Sequence, residues 1–196
     1  MIVEPVTLDG KFIRLEPLSM DHVQGLSLVG SDPEIWKFML YGNVTTQDKM
    51  TAWVTDILAR KAKGSDQPFA VRILKTGELA GATRYLEIRP DHRGLEIGGT
   101  WYGKKFQRTM VNTEAKYLLL QHAFETLGCI RVQFKADSRN VRSLNAIERL
   151  GAVREGILRN HMILENGVIR HSVYFSILVN EWPGIKKRLI EMINSE

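Results

Sequence analysis

The spacing of apolar positions changes several times along the chain, and each change marks an element. Residues 6–17 alternate around Phe12, Ile13, Arg14 and Leu15 after the turn signal Asp9-Gly10, which predicts a first strand. Ser19 stands as an N-cap ahead of a helix over 20–29, and Asp32-Pro33-Glu34 opens a short helix through Phe38. After a polar loop at 41–45, residues 46–63 carry Met50, Trp53, Val54, Ile57 and Leu58 at helical spacing, with charges on the other face. Residues 69–74 and 79–87 read as a hairpin closed around Lys75-Thr76-Gly77, and 95–102 as the next strand of a meander.

The second half repeats helix and strand signals in alternation. Residues 111–127 hold the clearest helical stripe, Val111, Ala115, Leu118, Leu119, His122, Ala123 and Leu127, stopped by Gly128. A buried strand over 130–136 follows, then a helix capped by Asn140, striped by Leu144, Ile147 and Leu150, and ended by Gly151. Strands over 152–164 and 168–179 flank the turn Glu165-Asn166-Gly167, and a helix over 183–193 completes the pattern. No repeat, low-complexity tract or linker divides residues 1–196, so a single domain is expected.

Composition narrows the function classes without naming one. Among 196 residues, 27 Lys and Arg exceed 22 Asp and Glu, a balance that favours anionic ligands. No basic-aromatic interleaving or helix-turn-helix signal supports nucleic acid as the partner. The one cysteine, Cys129, excludes an intramolecular disulfide and a cysteine-based zinc cluster. His22, His92, His122 and His171 have no ligand spacing, so no metal is expected. The N-terminus lacks a signal-peptide pattern and no apolar run approaches the ~20 residues of a membrane span, which predicts a cytoplasmic protein without a membrane partner.

The chemistry concentrates where the 95–102 strand turns into the 111–127 helix. The first-turn N–H groups of a helix have no intrahelical acceptor and attract anions, and here a basic connection containing Lys104, Lys105 and Arg108 leads to them. Gly98-Gly99, inside the preceding strand, marks a bulge or the close approach of another molecule.

Read together, these residues resemble the GCN5-related N-acetyltransferase (GNAT) superfamily, in its ribosomal-protein N-terminal acetyltransferase-like (RimJ/RimL-type) branch. The resemblance rests on the opening Leu8-Asp9-Gly10-Lys11-Phe12-Ile13-Arg14-Leu15-Glu16-Pro17-Leu18 and the strand Leu95-Glu96-Ile97-Gly98. It extends through Asp137-Ser138-Arg139-Asn140-Val141-Arg142-Ser143 and Glu148-Arg149-Leu150-Gly151-Ala152-Val153-Arg154-Glu155-Gly156. It implies an α+β fold: one mixed, mostly antiparallel, twisted sheet of about seven strands, splayed at the fourth and fifth strands and flanked by helices. It also implies an acetyl-coenzyme A-dependent acyltransferase that passes the acetyl group directly to a primary amine, with monomer or homodimer both open.

The site residues follow from the same resemblance. The family's pyrophosphate motif, Gln/Arg-x-x-Gly-x-Gly/Ala, falls on Gln107-Arg108-Thr109-Met110-Val111-Asn112, followed by Thr113; the first residue agrees, while Met110 and Asn112 replace small residues. Met110 is compatible with the cradle if its φ is helical and its amide still donates. A backbone N–H among Thr100, Trp101 and Tyr102 is the expected donor to the thioester oxygen. Asn140 and Asn145 are expected to reach the pantetheine amides, with helix capping as the alternative for Asn140. Ser143 occupies the position of the acid for the departing thiolate, or else caps its helix. For the base that deprotonates the amine the candidates are His161 and Glu96, or a water in their place. Met110, Asn112 and the open choice of base also leave a second reading, a non-catalytic acyl-coenzyme A-binding or regulatory module.

Overall fold

A computed structural model describes residues 1–195. Its centre is one sheet in the order β1-β2-β3-β4-β5-β6-β8-β7. The strands are β1 (Leu8–Asp9), β2 (Ile13–Pro17), β3 (Gln67–Ile73), β4 (Leu79–Arg89), β5 (Gly94–Tyr102), β6 (Arg131–Asp137), β7 (Val153–Ile163) and β8 (Ile169–Leu178). The helices are α1 (Val23–Val29), α2 (Gln47–Ala62), α3 (Met110–Gln121), α4 (Val141–Leu150) and α5 (Trp182–Asn194). Every neighbouring pair of strands is antiparallel except β5 and β6.

The sheet has eight strands rather than about seven because the expected first strand is broken. The chain reverses at Gly10, whose N–H donates to the Ile13 carbonyl, so residues 8–9 fold back on Arg14 and Leu15. The helix expected over 20–29 begins as a 3₁₀ turn, Met20–His22, with Ser19 and His22 satisfying one another's backbone as a capping box. The segment opened by Asp32 is shorter than expected, a single 3₁₀ turn over Pro33–Ile35. Helix α3 stops at Gln121 and widens into a π turn, His122–Thr126, before Gly128 in the left-handed region ends it.

Two cores lie on opposite faces of the sheet. On one face Ile13, Leu15, Val71, Tyr85, Ile97, Phe134 and Phe175 pack against α3, α4 and α5 through Ala115, Leu119, Leu150 and Leu189. On the other, Ala70, Ala82 and Trp101 pack against Leu26 of α1 and Met50, Trp53, Val54 and Ile57 of α2. Strand periodicity divides β4 and β5 between these faces. That second core ends at β5. Beyond it the same face carries the polar Gln133, Lys135 and Asp137 of β6 and Ser172, Tyr174 and Ser176 of β8. Among the described residues no helix is long and apolar enough to cross a membrane.

Helix α3 is fixed against the first strands by a buried carboxylate. Glu114, 2% exposed, accepts the backbone N–H groups of Lys11, Phe12 and Ile13, the last two at 2.9 Å. A side chain on Gly10 would collide with that carboxylate, its Cβ falling 2.6 Å from Glu114 Cδ. Replacing Glu114 by alanine strands three donors, and the expected loss of about 3 kcal/mol or more is read as a lower urea midpoint at unchanged slope. An unchanged midpoint would mean that water replaces the carboxylate at little cost.

Candidate active site

Strands β5 and β6 share only three register pairs, Gly94↔Arg131, Leu95↔Val132 and Glu96↔Gln133, and then part. Just beyond, β5 carries a bulge: Ala82 of β4 faces Trp101 and Arg84 faces Gly98, so Thr83 opposes both Gly99 and Thr100. Gly99 has φ +56°, and a Cβ there would lie 2.7 Å from Arg84 Nε. Glycine is favoured on both counts, since another residue would be strained there and would displace Arg84. After the bulge, Gly103 N–H donates to Ala80 O, on the β4 side. Strand alternation then turns the amides of Tyr102 and Thr100 to the opposite, parted edge.

The turn out of β5 brings the edge to the open end of α3. Gln107 donates through Nε2 to Tyr102 O at 2.9 Å and accepts from Arg142 of α4 at Oε1, so one side chain ties the strand end, the turn and α4 together. Arg108 holds φ +61°, and this is where the connection stores its backbone strain. Met110 opens the α-helix and is absent from the positive-φ residues among those described. A side chain is therefore compatible with that position. Thr109 is the N-cap, its Oγ1 accepting weakly from Val111 N–H at 3.4 Å and donating to Phe106 O at 2.7 Å. Asn112 is half-buried on the first turn.

Several predicted residues are engaged in structural contacts. The Trp101 and Tyr102 side chains are buried in opposite cores; alternation turns the Tyr102 amide to the parted edge and that of Trp101 toward β4. Thr113, fully buried, accepts from Arg149 of α4 at 2.9 Å. Asn140 caps α4, its Oδ1 accepting Ser143 N–H at 3.1 Å; its Nδ2 is left for another partner. Ser143 is half-buried in the first turn of α4, and Asn145, two residues on, is exposed. Of the basic residues on the connection, Lys105 pairs with Glu78 and Lys104 lies 3.9 Å from Asp32, whereas Arg108 and Arg142 remain beside the α3 turn.

The two base candidates share the polar face across the gap. Glu96 is 1% exposed and its Oε2 receives Gln133 Nε2 at 2.9 Å and Lys135 Nζ at 3.2 Å. Burial raises its pKa above the ordinary carboxylate value, against the opposing pull of Lys135. His161 sits beside a bulge in β7, where Asn160 has φ +50°. Its Nδ1 is 3.0 Å from Ser172 Oγ and its ring is set edge-on to Tyr174 at 5.7 Å. Burial, and then the charges of Lys135 and Arg170, hold its pKa below the free value, so it is neutral at pH 7.

Three charged residues here escaped sequence reasoning. Lys135 pairs with Glu96 and depresses His161. Arg84, 5% exposed, lies with Nε 3.2 Å from Asp66 in an ion pair not aligned as a hydrogen bond, and also donates to the Tyr41 hydroxyl. Lys116, 5% exposed, reaches from α3 to Thr100 Oγ1 at 2.6 Å and Thr83 Oγ1 at 3.3 Å. For Lys135 and Arg84 the available signal is a charge inside an otherwise apolar strand pattern; for Lys116 it is a charge beside Ala115 in the helical stripe. Among the described residues no group of three or more His, Cys, Asp or Glu is placed to hold a metal ion.

A parted parallel pair beside an open helix end offers an unpaired strand edge to an extended, amide-containing ligand and N–H groups to its phosphates. Comparison with known proteins gives the family. The family profile described as "Acetyltransferase (GNAT) domain" matches residues 13–153. A curated Bacillus subtilis (strain 168) relative, "Putative ribosomal N-acetyltransferase YdaF", is 34% identical over 114 residues, 58% of this chain and 61% of that protein. A crystal structure from T. thermophilus described as a "putative acetyltransferase" is 40% identical with a TM-score of 0.88, covering 98% of this chain and 99% of that one. The fold is also that of Mycobacterium smegmatis RimJ, solved in complex with CoA-disulfide, at 19% identity and a TM-score of 0.81 over 96% of this chain and 95% of that one. The chain belongs to the GNAT acetyltransferase family and is an acyltransferase.

Proposed function

We propose that residues 1–196 form one acetyltransferase domain that carries an acetyl group from acetyl-coenzyme A to a primary amine, within a ternary complex and without an acyl-enzyme. The observation that carries this reading is the parting of β5 from β6 directly beside the amide end of α3. The residues present suit the cosubstrate. The turn Gln107 to Thr113, with Arg108 and Arg142 beside it, would take the pyrophosphate, and the free edge of β5 together with Asn140 Nδ2 and Asn145 the pantetheine amides. Met110 fits because its backbone is helical.

Chemistry at the parted edge follows from the same groups. A neutral amine attacks the thioester carbonyl carbon, the carbonyl oxygen gains charge beside the Thr100 amide, and the C–S bond breaks as the amide bond forms. The departing thiolate is protonated through Ser143 Oγ, which regains its proton from solvent, and the proton shed by the amine nitrogen passes to His161 or Glu96, directly or through water. In the tautomer whose Nδ1–H donates to Ser172 Oγ, 3.0 Å away, His161 has its Nε2 lone pair for that purpose. The likeness to YdaF, named a ribosomal N-acetyltransferase, favours a protein N-terminal amine over a small-molecule amine as the acceptor.

Calorimetric titration with acetyl-coenzyme A, followed by thiol release in the presence of an amine panel that includes N-terminal peptides, is expected to show binding and turnover. Binding without turnover by any amine would favour the regulatory module, and no binding would remove the acetyl-transfer reading. Ser143→Ala is expected to lower kcat by about 10²-fold with little change in coenzyme A affinity. An unchanged kcat would return Ser143 to its helix turn.

The pKa directions give the base its own test. A His161 with depressed pKa predicts an acidic limb in the rate that lies below the pH at which a free imidazole gains its proton. His161→Gln is expected to abolish that acidic limb; survival of the limb in His161→Gln and its loss in Glu96→Gln would transfer the role to Glu96, whose pKa burial raises above the ordinary carboxylate value.

A further inference from the structure

We propose that Lys116 is a positioning residue for acyl transfer: through Thr100 and Thr83 it fixes the β5 bulge that turns the Thr100 amide toward the parted edge. The inference rests on the acetyl-transfer reading above and assigns a residue to it that no sequence motif indicated.

Three observations meet at this side chain. First, Lys116 is buried to 5% exposure, yet its recorded contacts are two hydroxyls and no carboxylate. Burial alone accounts for the fall of its pKa to about 7; no nearby charge contributes. Second, the two hydroxyls belong to opposite sides of the bulge, Thr83 on β4 and Thr100 on β5, and lie 2.8 Å from one another. Lys116 thus closes a triangle across the place where the strand register slips. Third, Thr100 is the residue whose amide alternation sends to the open edge, following Gly99 at φ +56°.

Stability offers no reason for such a group. Unlike the buried Glu114 and Thr113 of the same helix, which are hydrogen-bonded to other elements of the frame, Lys116 lies beside the apolar Val111, Ala115, Leu118 and Leu119, and a methionine or leucine would pack there without a desolvated ammonium. A buried amine without an acid partner costs folding free energy, and such groups accumulate where function demands them. Here it gives a glycine-containing bulge a defined geometry. The Thr100 side chain cannot rotate without losing Lys116 and Thr83 together, so its amide is held ready before the thioester arrives.

The test pairs Lys116→Met with Thr100→Val, which keeps the backbone amide but removes the hydroxyl, and with their double variant. Lys116→Met is expected to lower kcat by about 10²-fold, the scale of a small misplacement at a reacting centre. KM for both substrates and the calorimetric Kd for coenzyme A are expected to stay within about twofold, because uniform binding is untouched. Its thermal midpoint is expected to be equal or higher, which a structural lysine would not give. The ¹³C shift of the carbonyl in a bound, non-transferable ketone analogue of acetyl-coenzyme A is expected to move toward its free value, since polarisation by the Thr100 amide weakens. The double variant is expected to be no slower than the slower single one, as for residues acting through one contact.

An unchanged kcat and carbonyl shift in a folded Lys116→Met would overturn the proposal, as would a loss of kcat matched by loss of coenzyme A affinity and of thermal stability. If Lys116→Met does not fold, the structural alternative is upheld and the proposal overturned unless Thr83→Val, which removes one side of the triangle, shows the same kcat loss and carbonyl shift at unchanged Kd. Failure of the wild-type protein to bind coenzyme A would instead overturn the acetyl-transfer reading.

Discussion

The site exists because one strand pair stops early. β5 and β6 run parallel for three register pairs and then separate, leaving the rest of β5 bound on its β4 side alone. Unpaired backbone N–H and C=O groups inside a protein are costly unless something meets them. The sheet contains the reason for the separation: Gly99 and Thr100 form the bulge opposite Thr83, and Glu96, at the last paired position, turns its carboxylate to Gln133 and Lys135 of β6. Pairing continues up to that polar contact and goes no further.

Around the gap, some features oppose folding and others offset them. Lys116, Arg84 and Glu96 are buried charges, and Glu87, Arg108 and Asn160 are non-glycine residues with positive φ in or beside β4, α3 and β7. Burial of a charge and left-handed backbone each oppose folding by about 1–3 kcal/mol or more. Two dense cores on the two faces of the sheet offset them, one organised by α3 and α5, the other by the packed rings of Trp36, Trp53 and Trp101. Glu114 then holds α3 to the β1–β2 turn, so the helix end has a fixed position relative to the strand edge. Such an arrangement, a rigid frame around a costly centre, is what preorganised catalysis requires.

Much of this is legible in the sequence because the elements are marked by period and punctuation. The α4 cap at Asn140 and its stop at Gly151 follow from residue types whose local chemistry is strong. The break between β1 and β2 is not legible, since alternation runs through it; the reversal at Gly10 is imposed by Glu114, more than a hundred residues away. The shorter 3₁₀ turns have the same origin in tertiary packing rather than local preference. At the site, Gly98-Gly99 announces the bulge, but the partners that set it leave no local mark. Lys116 looks like an exposed helical lysine, and only the crossing of α3 over β4 and β5 brings it to Thr83 and Thr100. Met110 departs from the small residue in the family's motif, yet the strained position is Arg108, two residues earlier.

A crystal structure with coenzyme A bound decides whether the parted edge of β5 and the amide end of α3 act as one continuous binding surface. The pantetheine arm is expected between β5 and β6 beyond Glu96, hydrogen-bonded to the strand edge at Thr100 and Tyr102, with the pyrophosphate over the first turn of α3. A coenzyme seated elsewhere, with β5 and β6 closed against each other, would contradict that arrangement.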